Sequence, residues 1–180
     1  MAQNNVKPFE LLGEYERLSL MHKVKIRDMQ QESDFSGVSF KVHDDNWVVA
    51  IDRIDEVLIL TETTKIPGIA PWVLGLGNIR GNLMPIIDFK AYLYGKPTKT
   101  TAHTRMVVIR QSGGQVGLVV DEIFGQKHFS SDQKIENAIE EENSAYQYLM
   151  SSFEDDAGIW NILDLDRLIN DSSFQNAAAV

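Results

Sequence analysis

The sequence predicts an all-β fold with helices at its margins, built as two β-barrel-like lobes. Three features predict it. From Val38 onward apolar residues recur with a period of two, broken by turns rich in Gly and Asn; many short strands with such turns favour barrels or sandwiches. A pair of motifs occurs twice in the same order. Ile54-Asp55-Glu56-Val57 precedes Ile86-Ile87-Asp88-Phe89, and Val120-Asp121-Glu122-Ile123 precedes Ile162-Leu163-Asp164-Leu165. Two copies of one β unit bury two similar cores side by side. Sustained helical spacing stands apart from this pattern, over residues 8–32.

The elements follow in order. Leu11, Tyr15, Leu18 and Met21 recur at spacings of three and four among charged residues, the period of an amphipathic helix. Ser33 to Gly37 reads as a linker. Val38, Phe40 and Val42, the polar turn His43-Asp44-Asp45-Asn46, and Trp47, Val49 and Ile51 make a β-hairpin. A β-branched run follows over Val57 to Thr64, closed by Pro67 and Gly68. Trp72 to Arg80 and Leu83 to Phe89 flank Gly81-Asn82, a two-residue turn with Gly first. Pro85 marks the second run as an edge or a bulge. After a polar connector from Gly95 to His103, Met106 to Arg110 and Val116 to Phe124 are strands around Ser112-Gly113-Gly114.

Ser130 to Met150 reads as partly helical, with Ser130 and Gln133 spaced as a capping box and Glu136 to Glu142 strongly acidic. Ile159 to Leu165 is the last strand, and Asp166 to Asn170 a short turn. The organisation is therefore a helical extension over 1–36, a two-lobed domain over 37–170, and a tail over 171–180 that frays.

Composition narrows the function. Lys and Arg number 17 and Asp and Glu 26, a net charge of −9. That balance disfavours nonspecific binding to nucleic-acid phosphates or to an anionic membrane surface. A nucleic-acid-binding barrel would also need a basic, aromatic-lined face. The chain holds no cysteine, which removes disulfides, thiolate metal sites and thiol nucleophiles and fits a reducing compartment. No apolar run approaches the roughly 20 residues of a membrane helix, and Met1 to Pro8 contains no apolar signal-peptide core. The expectation is a cytoplasmic protein without direct membrane insertion.

Chemistry-bearing patterns are sparse. His22, His43, His103 and His128 are scattered, with no metal-ligand spacing. Gly75-Leu76-Gly77-Asn78-Ile79-Arg80-Gly81 has its third glycine one position too late for a dinucleotide loop, and leads to a strand. Asp155-Asp156 lacks the alternating oxygens of a calcium loop. Asp88 and Asp164 both end an apolar strand. They could serve as acid and base of a small β-barrel enzyme, but equivalent places in a repeat favour bonding to backbone N–H groups at a turn. One charged couple stands out. Arg80 interrupts an apolar stretch, and Glu56 opens a β-branched strand; an arginine so placed needs a carboxylate or a binding partner.

The run Gly75-Leu-Gly-Asn78-Ile-Arg80-Gly81-Asn-Leu-Met-Pro85-Ile-Ile-Asp88 resembles the signature of CheW-like coupling proteins of bacterial chemosensory arrays. Ile54-Asp-Glu56-Val57, Val116-Gly117-Leu-Val-Val-Asp121 and Ile162-Leu-Asp164-Leu extend the resemblance over about residues 37–170. The long N-terminal extension and the stretch Asp121 to Phe129 look most like the variant serving twitching motility by type IV pili. The resemblance implies two intertwined five-stranded, SH3-like barrel lobes and an adaptor with no catalysis and no cofactor. It implies two partners: a CheA-like chemosensory histidine kinase and the helical tip of a methyl-accepting chemoreceptor, in membrane-associated arrays. The family's receptor-facing residues match Glu56 and Arg80, with Ile54 and Gly117 as further positions on the same side. The extension before Val38 is longer than usual for the family, and Glu136 to Glu142 lacks the proline often found there.

Overall fold

The computed structural model describes residues 35–111, 113–136 and 143–176. The helix expected over 8–32 and most of the acidic stretch beyond Glu136 lie outside the described residues. Strand β1 (Phe35–Val42) turns at His43-Asp44 into β2 (Asp45–Ala50), in the register Phe40 opposite Trp47. The expected linker thus gives way to strand from Phe35. A short 3-10 turn, Ile51–Arg53, leads to β3 (Ile54–Ile59). Next come β4 (Val73–Ile79), β5 (Asn82–Asp88) and helix α1 (Phe89–Tyr94). The hairpin of β6 (Arg105–Gln111) and β7 (Gly114–Val120) follows. Then come β8 (Glu122–Phe129), the two-residue β9 (Lys134–Ile135), β10 (Leu149–Asp155) and β11 (Gly158–Leu163). Helices α2 (Leu165–Asn170) and α3 (Ser172–Gln175) end the described chain.

The strands form two sheets, β8-β1-β2-β11-β10-β9 and β3-β6-β7-β5-β4. Each contains one strand exported by the other half of the chain. β2 leaves the first sheet and β3 joins the second beside β6; β7 leaves the second and β8 joins the first beside β1. The lobes are intertwined for that reason. The first carries one strand more than the expected five, the short β9.

The duplication is visible bond by bond. In each lobe a hairpin joins the rest through a parallel pair, β5 with β7 and β11 with β2. The N–H of Asp88 donates to the carbonyl of Trp72 at 2.8 Å, and that of Asp164 to the carbonyl of Tyr148 at 2.8 Å. Both aspartates then cap the helix that follows, accepting from Ala91 N–H and Arg167 N–H respectively. The other duplicated motif does not superpose. Both exported strands carry a bulge against their first neighbour, Asp55 in β3 and Phe124 in β8. By that landmark Ile54 corresponds to Ile123, not to Val120, so the likeness of the two acidic quartets is out of register by three residues.

Each sheet curls until its ends meet. β3 and β4 are the outermost strands of the second sheet, yet Glu56 of β3 lies 2.9 Å from Arg80 at the end of β4. In the first sheet Lys127 of β8 pairs with Asp155 of β10, and its ammonium stands 3.9 Å from the Trp160 ring centre. Three cores result. Val48, Phe129, Phe153, Trp160 and Ile162 fill the first lobe; Ile79, Met84, Ile86, Met106, Val108 and Val119 fill the second. A larger cluster including Phe40, Trp47, Phe89, Ile109, Leu118, Tyr148 and Leu168 is shared between them. Strands β6 and β7 therefore bury both faces, Met106 and Val108 inward and Val107 and Ile109 toward the shared core, and such strands read as unbroken apolar runs.

Several boundaries differ from expectation for physical reasons. The run Val116 to Phe124 is two strands in different sheets, because Asp121 breaks it: its carboxylate accepts from the His43 N–H at 2.7 Å and from Lys90 Nζ at 3.2 Å. Between Ser130 and Met150 the described residues form 3-10 turns at Ser131–Gln133 and Ser144–Tyr148 and the short β9; the rest of the expected helical stretch lies outside the described residues. The capping-box spacing is real there, with Gln133 accepting from the Ser130 N–H at 3.0 Å. The last strand stops at Leu163, since Asp164 caps α2. The described part of the expected tail, residues 171–176, is ordered: the Asp171 side chain caps α3, and Phe174 is buried against the shared core.

Candidate functional site

The β4–β5 turn is built from Arg80 and Gly81, one residue earlier than the predicted Gly81-Asn82. Ile79 pairs with Asn82, and the two central residues have φ of 51° and 89°. Both angles are positive, as a type I′ hairpin turn requires. Gly81 adopts its angle freely, whereas an arginine in the left-handed region costs about 1–2 kcal/mol. Asn78 helps to hold the turn, its side-chain oxygen accepting from the Gly81 N–H at 2.9 Å. The strained residue is the one whose guanidinium is presented. The Arg80 side chain is 76% exposed, and its Glu56 partner only 24%. An exposed pair of this kind contributes about 0–1 kcal/mol to folding, so stability alone does not account for a strained arginine there.

The four expected site residues share the second sheet, but only Glu56 and Arg80 touch. Glu56, Val108, Gly117 and Ile86 form one row across β3, β6, β7 and β5. Gly117 is buried within that row: a Cβ there would stand 2.5 Å from Met106 Sδ and 2.9 Å from Ile86 Cδ1. Its contribution is close packing beneath the site. Ile54 lies opposite Ile109, half-buried against the shared core.

A second arginine, missed in the sequence, is held by the carboxylate next to Glu56 in the chain. Asp55 is the bulged residue of β3. Its carboxylate pairs with Arg110 of β6 and accepts from Gln115 Nε2 of β7 at 2.7 Å. Arg110 and Gln115 are themselves opposite one another. The Arg110 side chain is 77% exposed and that of Asp55 is 11%. The hydrogen bond from Arg110, then that from Gln115, hold the Asp55 carboxyl below the usual carboxylate range. Alternation alone could not reveal this, because a bulge re-aims one side chain out of the period of two.

That depression has a pH consequence. The folded-state value lies below the unfolded one, so the contribution of Asp55 is complete above the ordinary carboxylate value of about 3.9 and is lost as pH falls through the folded value. Thermal unfolding of Asp55→Asn should show a deficit against the unaltered protein at neutral pH that closes below pH about 3.9. A gap that widens on acidification would contradict the clamp.

The strand-end carboxylates are occupied by structure. Asp88 is 3% exposed and accepts from Ala91 N–H at 3.0 Å, Thr98 N–H at 2.7 Å and Thr98 Oγ1 at 2.8 Å. Asp164 accepts from the Arg167 N–H at 2.9 Å. Their geometry is that of helix caps, which removes the basis of an acid–base reading. Among the described residues no group of three His, Cys, Asp or Glu could hold a metal ion, and no helix is long and apolar enough to cross a membrane.

Known proteins carry the same architecture. The scaffolding protein TtCheW from Thermoanaerobacter tengcongensis matches with a TM-score of 0.63 at 20% identity, over 73% of this chain and 84% of that one. Protein PilI from Pseudomonas aeruginosa is 34% identical over 105 residues, 57% of this chain and 59% of that protein. Chemotaxis protein CheW from Rhizobium meliloti is 34% identical over 86 residues, 48% of this chain and 56% of that protein. The chain thus spans under two thirds of the length of these two relatives. The model of the CheW-like domain matches residues 36–173, the whole of the two intertwined lobes, and the chain belongs to the CheW-like domain family.

Proposed function

We propose that this protein is a non-catalytic adaptor that couples a methyl-accepting chemoreceptor to a CheA-like histidine kinase, in the chemosensory system controlling twitching motility by type IV pili. The observation that carries the reading is Arg80: a strained, exposed arginine at the tip of a hairpin, oriented by Glu56. Likeness to PilI supports the pilus system, and likeness to CheW proteins supports the adaptor role.

The mechanism is docking with no bond made or broken. The helical tip of the receptor lies on the Glu56–Arg80 face, above the packing supplied by Gly117, while Ile54 supports that strand from the side of the shared core. The kinase contributes a homologous barrel that meets a sheet end. Val57 and Ile59 of the outermost strand β3, 41% and 72% exposed, suit such sheet-edge pairing. Contacts of modest strength gain from multivalency in an array, and signals pass as changes in relative affinity among docked states. The protein acts in the cytoplasm, recruited to the membrane by its receptor.

Co-capture tests the reading. With a receptor hairpin fragment immobilised, kinase should be retained only when this protein is present. Equal retention without it would contradict the adaptor role.

A further inference from the structure

We propose that Arg110 is a second partner-reading arginine, presented by Asp55 and Gln115, and that with Arg80 it grips carboxylates on both sides of a cleft taking one face of the receptor-tip helix. The inference rests on the adaptor reading and extends it to a residue outside the family signature.

Four observations carry it. The first is construction. Asp55 and Glu56 are consecutive, and each is a largely covered carboxylate holding an arginine whose side chain is 76–77% exposed. Surface ion pairs of this kind add about 0–1 kcal/mol to stability. Two built side by side present two oriented guanidinium forks, the group suited to bidentate recognition of carboxylates.

The second is the comparison inside the molecule. The first lobe has the same bulge, but Phe124 occupies the place of Asp55. Lys41 opposite Asn46 occupies the place of Arg110 opposite Gln115. The fold therefore does not require the clamp; only the lobe that bears Arg80 has it.

The third is the ground between the two arginines. A cleft of about 360 Å³ is lined by Gly81, Asn82, Leu83, Met84, Gly114 and Gln115. One wall follows Arg80 in the chain, and the other contains the cross-strand partner of Arg110. Leu83 is 68% exposed, an apolar contact for a helix whose carboxylates reach the two arginines. The fourth is charge. On a chain of net charge −9, paired guanidinium groups select an acidic partner face against the general repulsion.

The test uses the full chain and a soluble receptor hairpin fragment. Binding is measured by calorimetry, kinase binding in parallel, and folding by thermal unfolding. Arg110→Ala should weaken hairpin binding about tenfold, and Arg110→Glu more, with kinase binding unchanged. Asp55 keeps its Gln115 bond in both, so the fold should hold. Where the melting temperature falls, Arg110→Gln decides, since it retains a donor for Asp55 without the charge. Weakened binding by a folded Arg110→Gln supports the proposal. Unchanged binding by that variant, or by Arg110→Ala, while Arg80→Glu fails to bind overturns it and leaves the adaptor reading standing. A hairpin that binds neither the unaltered protein nor any variant overturns both.

Discussion

Arg80→Glu is expected to weaken binding of the receptor hairpin about a hundredfold, because like charges forced together at an interface cost several kcal/mol and each 1.4 kcal/mol is tenfold. The substitution places two carboxylates where the 2.9 Å ion pair stood. Folding should barely respond. The Arg80 side chain is 76% exposed, the left-handed turn is no harder for one long side chain than another, and the pair itself contributes about 0–1 kcal/mol, a shift of at most about 4 °C. Kinase binding should be retained. Adding Glu56→Arg restores a pair of reversed polarity and should recover the melting temperature without recovering receptor binding. That separation distinguishes a presented arginine from one that merely closes the lobe. Normal receptor binding by Arg80→Glu would remove the site from this face.

Asp88→Ala is expected to cost about 3 kcal/mol, and Asp164→Ala about 1 kcal/mol. The two residues hold equivalent places in the repeat but not equivalent burdens. Asp88 is 3% exposed and takes bonds from the Ala91 N–H and from both the N–H and hydroxyl of Thr98. Its loss strands covered donors as well as uncapping α1, and buried donors left unmatched cost about 1–3 kcal/mol. Half-buried Asp164 accepts from the Arg167 N–H, so mainly the cap is lost. Thermal unfolding should separate them, by about 6–12 °C against 2–4 °C. Asp88→Asn should fall between, since its amide oxygen can still accept. Equal effects at the two positions would contradict the cap assignment.

These cases show what a sequence can display. The hairpin at His43, the caps at Asp88 and Asp164 and the Glu56–Arg80 couple were readable because each rests on local spacing or a recognisable motif. The boundary at Asp121 was not, because β6 and β7 bury both faces and lose alternation; an apolar run then hides where one sheet ends and the other begins. Bulges hid more. At Asp55 and Phe124 one extra residue breaks the period and conceals the clamp on Arg110; only alignment on these bulges shows that Ile54 corresponds to Ile123, three residues from the match that the acidic quartets suggest. The exchange of β3 and β8 between lobes is a matter of which strands pair at long range, and nothing in either strand alone records it.

The most direct measurement titrates this protein into a fixed amount of immobilised receptor hairpin and free kinase, and follows the kinase retained. A bridge has two docking faces, so retention should rise from background, peak, and decline once excess protein occupies receptor and kinase separately; with Arg80→Glu the rise should be absent. Kinase retention that is flat across the titration, or identical with and without the Arg80 guanidinium, would contradict the account.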